Sequence, residues 1–188
     1  MKKKVYMIHG WEGSSKDNWF PWLKKELENK KPNVEIHVFD MPNSEHPKIE
    51  EWVGYLEENI KDVDEHTYFI GHSIGCQTII RFLEKLHKHK RIGGCIFVAG
   101  FFDLLNLEPE EFKIAHPWIT SPIDSSRVLD HCNRFLALFS KDDPEVHIDE
   151  AKKFKEKFGA KIVIMDGKGH FEDEKQPELL NEVLRFIK

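Results

Sequence analysis

The sequence predicts a three-layer α/β fold: a doubly wound, mostly parallel six-stranded sheet with helices on both faces. Three observations carry this. Short apolar runs rich in Val, Ile, Phe and Tyr alternate with longer segments of helical periodicity from one end to the other. Right-handed crossovers between parallel strands restrict such an alternation to a doubly wound sheet. At 188 residues the chain suits one domain, 1–188, with a real core, and is short for two.

The elements follow in order. Val5-Tyr6-Met7-Ile8 reads as the first strand. Residues 18–31 form an amphipathic helix carrying Trp19, Trp22, Leu23 and Leu27, stopped by Pro32-Asn33. Val34–Phe39 is the second strand, and Pro47 opens a helix through Trp52, Leu56 and Ile60. A strand at 67–70 leads into a helix at 74–88, where Ile79, Ile80, Phe82, Leu83 and Leu86 keep helical spacing. Residues 95–99 are the fourth strand. Residues 104–130 carry only a short helix at 109–114 and a Pro-rich loop, placed to shape a pocket. A fifth strand at 134–139 precedes a helix at 147–158, ended by Gly159. Lys161–Met165 is the sixth strand and 177–187 the final helix. In such sheets ligands bind beyond the carboxyl ends of the strands. His9-Gly10-Trp11, Ser73, Phe101-Phe102, Asp142-Asp143 and His170 all follow strand ends, so five distant segments are expected to meet at one edge.

Composition bounds the function. Apolar residues make up 40% and charged residues 32% of the chain, the proportions of a soluble globular protein. With a net charge of −5 and no basic stripe, nucleic acid is not an expected partner. Lys2-Lys3-Lys4 precedes an apolar run too short for a signal segment, and no stretch nears the ~20 apolar residues of a membrane span. Cys76, Cys95 and Cys132 are an odd number in apolar settings and read as free thiols, which with the rest points to the cytoplasm. Composition leaves the oligomeric state open.

The most informative segment is Gly71-His72-Ser73-Ile74-Gly75, between a strand and a helix. Glycines two residues either side of the serine permit a turn too tight for a Cβ, which holds a hydroxyl out at the sheet edge as a nucleophile. The plainer alternative is a helix-capping serine between turn glycines. A serine hydroxyl needs a base in hydrogen-bond reach, and that base needs an orienting carboxylate. His170, in Gly167-Lys168-Gly169-His170-Phe171 just past the last strand, is the candidate base, against the alternative of a surface histidine. The segment Ser140-Lys141-Asp142-Asp143-Pro144 offers two adjacent aspartates, either of which could orient it. The Ile74 amide, at a helix N-terminus, and the Trp11 amide, after the first strand, are candidate oxyanion donors. His9 reads as a structural hydrogen-bonding residue. His72, Phe101 and Phe102 are candidate substrate contacts, and the other tryptophans read mostly as core. The loop Gly10–Gly13 lacks the endings of a nucleotide cradle, and the histidines lack metal-ligand spacing, so no cofactor and no metal is expected.

These residues resemble a family: the small, lidless α/β-hydrolases of the group that includes retinoblastoma-binding protein 9. The likeness spans nearly the whole chain and rests on Trp19-x-x-Trp22-Leu23, Asp40-Met41-Pro42, Gly71-His72-Ser73-x-Gly75, Pro117-Trp118, Ser140-x-Asp142-Asp143-Pro144 and Gly169-His170-Phe171. It implies a reduced α/β-hydrolase fold and a Ser-Asp-His triad, mapping onto Ser73, Asp143 and His170. Asp143 is favoured over Asp142 because hydrolases of this kind often show an aliphatic residue three positions after the acid, here Val146. The Leu-x-Cys-x-Glu retinoblastoma-binding motif is absent, so that partner is not inferred. The expected activity is hydrolysis of small carboxylic esters, with amides and thioesters as related substrates, through an acyl-serine. The lack of a long insertion between the fourth and fifth strands suggests an open site. Two alternatives stand beside this: a catalytically silent protein-binding module on the same scaffold, and an aminopeptidase-like hydrolase in which Glu12 or Glu45 takes a substrate amine.

Overall fold

A computed structural model describes residues 2–187. Six strands, β1 (Lys3–Ile8), β2 (Val34–Phe39), β3 (Thr67–His72), β4 (Gly94–Val98), β5 (Phe135–Ser140) and β6 (Lys161–Met165), form one sheet in the order β2-β1-β3-β4-β5-β6. Every neighbouring pair is parallel. The order reverses at β1, so successive crossovers run outward in both directions and the central strands β1 and β3 end side by side. That is the switch point at which open parallel sheets hold ligands.

The period-2 geometry of a strand explains the core. Tyr6, Ile8, Phe69, Cys95, Phe97, Phe135, Ala137 and Phe139 face one cluster, which α2 (Ile49–Asn59), α3 (Ile74–Lys85) and α6 (Glu150–Phe158) cover with Trp52, Leu56, Ile79, Phe82, Phe154 and Phe158. The alternating Val5, Met7, Tyr68, Ile70, Ile96, Val98, Leu136 and Leu138 face a second cluster. There α1 (Phe20–Lys30) and α7 (Pro177–Phe186) pack Phe20, Leu23, Leu27, Leu179 and Val183. The central strands are buried on both sides, which is why they read as continuous apolar runs. Cys76, Cys95 and Cys132 are free and buried.

The connection between β4 and β5 departs from the expectation. Instead of one short helix and a loop it holds α4 (Pro109–Thr120) and α5 (Ser125–His131). Pro117 lies inside α4, where it cannot donate to the preceding turn. Tertiary contacts hold the helix past it: Trp118 Nε1 donates to Pro47 O at 3.0 Å, and Arg81 donates to the carbonyls of Trp118 and Ser121, each at 3.0 Å. A proline rule based on local sequence misses anchors that come from α3 and the α2 approach.

Candidate active site

Ser73 joins β3 to α3 with φ 51° and ψ −120°, a conformation that non-glycine residues rarely adopt. Two close approaches explain the flanking glycines. A Cβ on Gly75 would lie 2.4 Å from Ile8 O, and one on Gly71 would lie 2.7 Å from Cys76 N. The Ser73 N–H donates to Val98 O at 2.9 Å, pinning the turn to the end of β4. Ser73 occupies the N-cap position of α3, yet its hydroxyl makes no capping bond. The plainer reading of Ser73 as a helix cap therefore fails.

The loop after β6 carries His170. Its Nδ1 meets the two Asp143 carboxylate oxygens at 3.0 and 2.9 Å. Asp143 Oδ1 also accepts the N–H groups of Glu145 and Val146, at 2.9 and 3.0 Å. The position of Val146 three residues after the acid thus has a physical reason: its amide fixes the carboxylate while its side chain is buried. Asp142 has a different task. It takes the Ser140 hydroxyl and the N–H groups of Gly167, Lys168 and Gly169, the last three at 3.0, 3.2 and 3.4 Å. Gly167 and Gly169 have φ of 68° and 48°, so the loop wraps this carboxylate in a left-handed conformation suited to glycine.

The electrostatics around His170 oppose one another. Burial alone would lower its pKa, but the hydrogen bond to Asp143 and the charges of Glu145, Asp143 and Glu172 outweigh it, and the net direction is up. His72, beside it, goes the other way. Burial, reinforced by the neighbouring His170, pushes its imidazole down to about 3, so it is neutral at physiological pH. His72 Nε2 lies 2.7 Å from the His170 carbonyl oxygen and must carry the hydrogen. Its Nδ1 is left as an acceptor without a partner among the described residues.

The loop after β1 is held by His9. Its Nδ1 contacts Gly10 O at 2.7 Å and its Nε2 accepts the Met41 N–H at 2.9 Å, a fixed neutral tautomer with burial lowering its pKa. The Glu12 N–H donates to Ser44 O, and the Trp11 indole to Glu45 O. Ile74 is the first residue of α3, where a backbone N–H has no acceptor within the helix.

A cavity of about 400 Å³ opens between these segments, lined by Gly10, Trp11, His72, Ser73, Ile74, Phe101 and His170 among others. Asp143 sits behind His170, away from the lining. Two expectations need correction. Phe102 does not line the cavity; its ring packs on Phe154 and Phe158, and its N–H donates to the Glu150 carboxylate at 2.6 Å. Both aromatics lie beyond the end of β4 and pack on the same cluster, but only Phe101 reaches the cavity lining. The site is also less open than the sequence suggests, because residues 104–107 and Glu111, from the β4–β5 connection, form one wall. Glu45 contributes only its carbonyl, to Trp11, whereas Glu12 lines the cavity together with Glu111, Glu145 and Glu172. The sequence singles out none of the last three, although it does place residues 104–130 to shape a pocket, as this wall does. Glu145 lies two residues from Asp143, and that adjacency was the available signal. Among the described residues, no group of three or more His, Cys, Asp or Glu side chains could hold a metal ion, and no helix is long and apolar enough to cross a membrane.

Comparison with known proteins fits this geometry. A family model described as serine hydrolase matches residues 5–188. The chain belongs to the serine hydrolase family. YdeN of Bacillus subtilis (strain 168) is 34% identical over 175 residues, covering 93% of this chain and 89% of YdeN. The crystal structure of the B. subtilis ydeN gene product superposes with a TM-score of 0.88, covering 98% of each chain at 30% identity. Serine hydrolase RBBP9 of Rattus norvegicus is 25% identical over 169 residues, 90% of this chain and 86% of its own. Est1E from Butyrivibrio proteoclasticus shares the fold, with a TM-score of 0.74 at 17% identity, over 100% of this chain and 88% of Est1E. The architecture is that of an α/β-hydrolase, and the family assigns the chain to the hydrolases.

Proposed function

We propose that residues 1–188 are one domain that hydrolyses small carboxylic esters through an acyl-serine intermediate, with Ser73 as nucleophile, His170 as base and Asp143 as its orienting acid. The observation that carries this is the pairing of His170 Nδ1 with the Asp143 carboxylate at 2.9 Å, in a loop that faces the same cavity as Ser73 at its strained turn. In this reading His170 Nε2 takes the hydroxyl proton as Ser73 Oγ attacks the carbonyl carbon. The N–H groups of Ile74 and Trp11 hold the oxyanion. The tetrahedral intermediate collapses, the alcohol leaves with the proton from the imidazolium, and water repeats the sequence to release the acid. Asp143 keeps the hydrogen on Nδ1 and stabilises the imidazolium. His72, which lines the cavity, also supports the base through its carbonyl. No cofactor enters the scheme, and the partner is a small ester in the cytoplasm.

A second reading has one observation of its own. Glu12, Glu111, Glu145 and Glu172 line the cavity, an acidic rim that favours a substrate amine and an aminopeptidase-like activity. Fluorophosphonate labelling of the wild type, Ser73→Ala and His170→Ala tests the nucleophile, and parallel assay of a short p-nitrophenyl ester and an aminoacyl p-nitroanilide separates the two substrate classes. Labelling that survives Ser73→Ala overturns the assignment. A well-folded wild type that neither labels nor turns over either substrate is the silent binding module.

A further inference from the structure

His170 lies between two carboxylates. Asp143 meets Nδ1, and Glu145 Oε2 stands 3.5 Å from Nε2, the nitrogen that the proposed mechanism needs for Ser73. No hydrogen bond joins Ser73 Oγ to His170 in this arrangement among the described residues. Glu145 lines the cavity with its side chain half exposed, while its backbone is fixed: its N–H donates to Asp143 Oδ1 and its carbonyl accepts the Leu105 N–H at 2.8 Å. The side chain can therefore swing without loosening Asp143.

We propose that Glu145 is a positioning residue that latches the imidazole of His170 in its protonated form and competes with Ser73 for Nε2. The inference rests on the reading of His170 as the base. Its chemistry follows from hydrogen-bond polarity. An imidazolium has N–H groups on both nitrogens and satisfies both carboxylates. A neutral ring held by Asp143 keeps its hydrogen on Nδ1 and presents a lone pair at Nε2. A lone pair cannot bond a carboxylate, but it can accept the Ser73 hydroxyl. Loss of one proton thus breaks the contact with Glu145 and creates the acceptor that Ser73 requires.

The groups that face this switch come from several elements. Asp143 and Glu145 lie on the loop after β5, and Glu172 on the loop after β6. His72, at the end of β3, is neutral and adds no charge. From α4, Glu111 adds to the field around Glu145, whose own pKa rises through burial first, the charges of Asp143, Glu172 and Glu111 raising it further against the lowering effect of His170. The assembly is acidic throughout, so it favours the latched form.

The test is a pH profile of kcat/KM for a p-nitrophenyl ester with wild type, Glu145→Gln and Glu145→Ala, beside an NMR titration of the ¹⁵N-labelled His170 ring. The expected result is an acidic limb that moves down by on the order of one pH unit in both variants. Activity below the limb then rises severalfold, up to about tenfold. An unchanged limb together with an unchanged ring titration overturns the latch. The titration is repeated in Ser73→Ala, where turnover plays no part. A ring titration that moves with Glu145 while ester hydrolysis is absent upholds the contact and rejects the ester reading, and the reverse pattern rejects the latch alone.

Discussion

His72 donates its Nε2 hydrogen to the carbonyl oxygen of His170 at 2.7 Å, so the residue before the proposed nucleophile holds the backbone of the proposed base. The contact spans 98 positions of sequence and ties the end of β3 to the loop after β6. Replacing His72 with Phe keeps the ring shape and removes the donor. The buried carbonyl then loses its partner, a loss of about 1–3 kcal/mol. The expected outcome is a lower denaturation midpoint with an unchanged m-value, and a fall in esterase turnover; unchanged values of both would show the contact to be incidental.

The same histidine shapes acid stability. Its folded pKa, about 3, lies below the ordinary 6.5, so between those values the unfolded chain binds the extra proton and stability falls as pH falls. His170 has the opposite sign. Its raised folded pKa gives stability that is complete below the ordinary value and is lost as pH rises through the folded one. The stability of the wild type against urea should weaken steadily below pH 6.5, and the His72→Phe protein should show a shallower decline over that window.

The raised pKa of His170 also bears on activity. A base must be neutral to accept a proton, so the acidic limb of kcat/KM for the wild type should sit above the ordinary imidazole value of 6.5. Stopped-flow rates across pH 5–9 would locate it. A limb at or below the ordinary value contradicts the site electrostatics.

Asp142 serves the proposed base at one remove. Asp142→Ala removes the acceptor for three loop N–H groups and the Ser140 hydroxyl, and leaves the Asp143–His170 contact without its support. Misplacement of a catalytic group by about 1 Å costs roughly 100-fold in rate. A drop of about 10- to 100-fold in kcat with KM nearly constant is expected, and Asp142→Asn should recover part of it because the amide oxygen still accepts. A KM effect without a kcat effect would place Asp142 elsewhere in the mechanism.

Two glycines should respond in opposite directions. Gly75→Ala drives a methyl group to 2.4 Å from the Ile8 carbonyl, and overpacking of this kind costs about 1–3 kcal/mol or more. Gly54, inside α2, has no atom within 4 Å of an added Cβ. Gly54→Ala should stabilise by about 0.5–1 kcal/mol through helix propensity and the smaller entropy of the unfolded chain. Thermal melts of the two variants check both signs.

The central strands were legible because burial on two faces writes itself as an uninterrupted apolar run. The edge strands Val34–Phe39 and Lys161–Met165, only partly buried, read to their ends from their β-branched and aromatic residues. Helix ends were less so: α3 stops at Lys85, and the basic run to Lys88 is outside it. The second half of α4 was hidden because Pro117 argues locally against a helix that distant carbonyls and an indole hold in place. At the site, Gly71, Ser73, Gly75 and His170 stood out because tight turns and strand ends leave local marks; the same marks offered Asp142 and Asp143 alike, and the choice of Asp143 came from the family resemblance. Phe102 was misjudged because, of two adjacent aromatics that join one cluster after the fourth strand, only Phe101 reaches the cavity, and sequence does not say which one does. Glu145 and Asp142 gained their tasks only when two loops from the fifth and sixth strands met, which no window of sequence contains.

The idle Ser73 hydroxyl has a practical consequence. Since that oxygen supports no part of α3 or of the turn, deleting it should yield a protein that melts like the parent and differs only in having lost the proposed nucleophile. Such a form would keep uncleaved molecules seated long enough for crystallography or affinity capture to reveal what the natural substrate is.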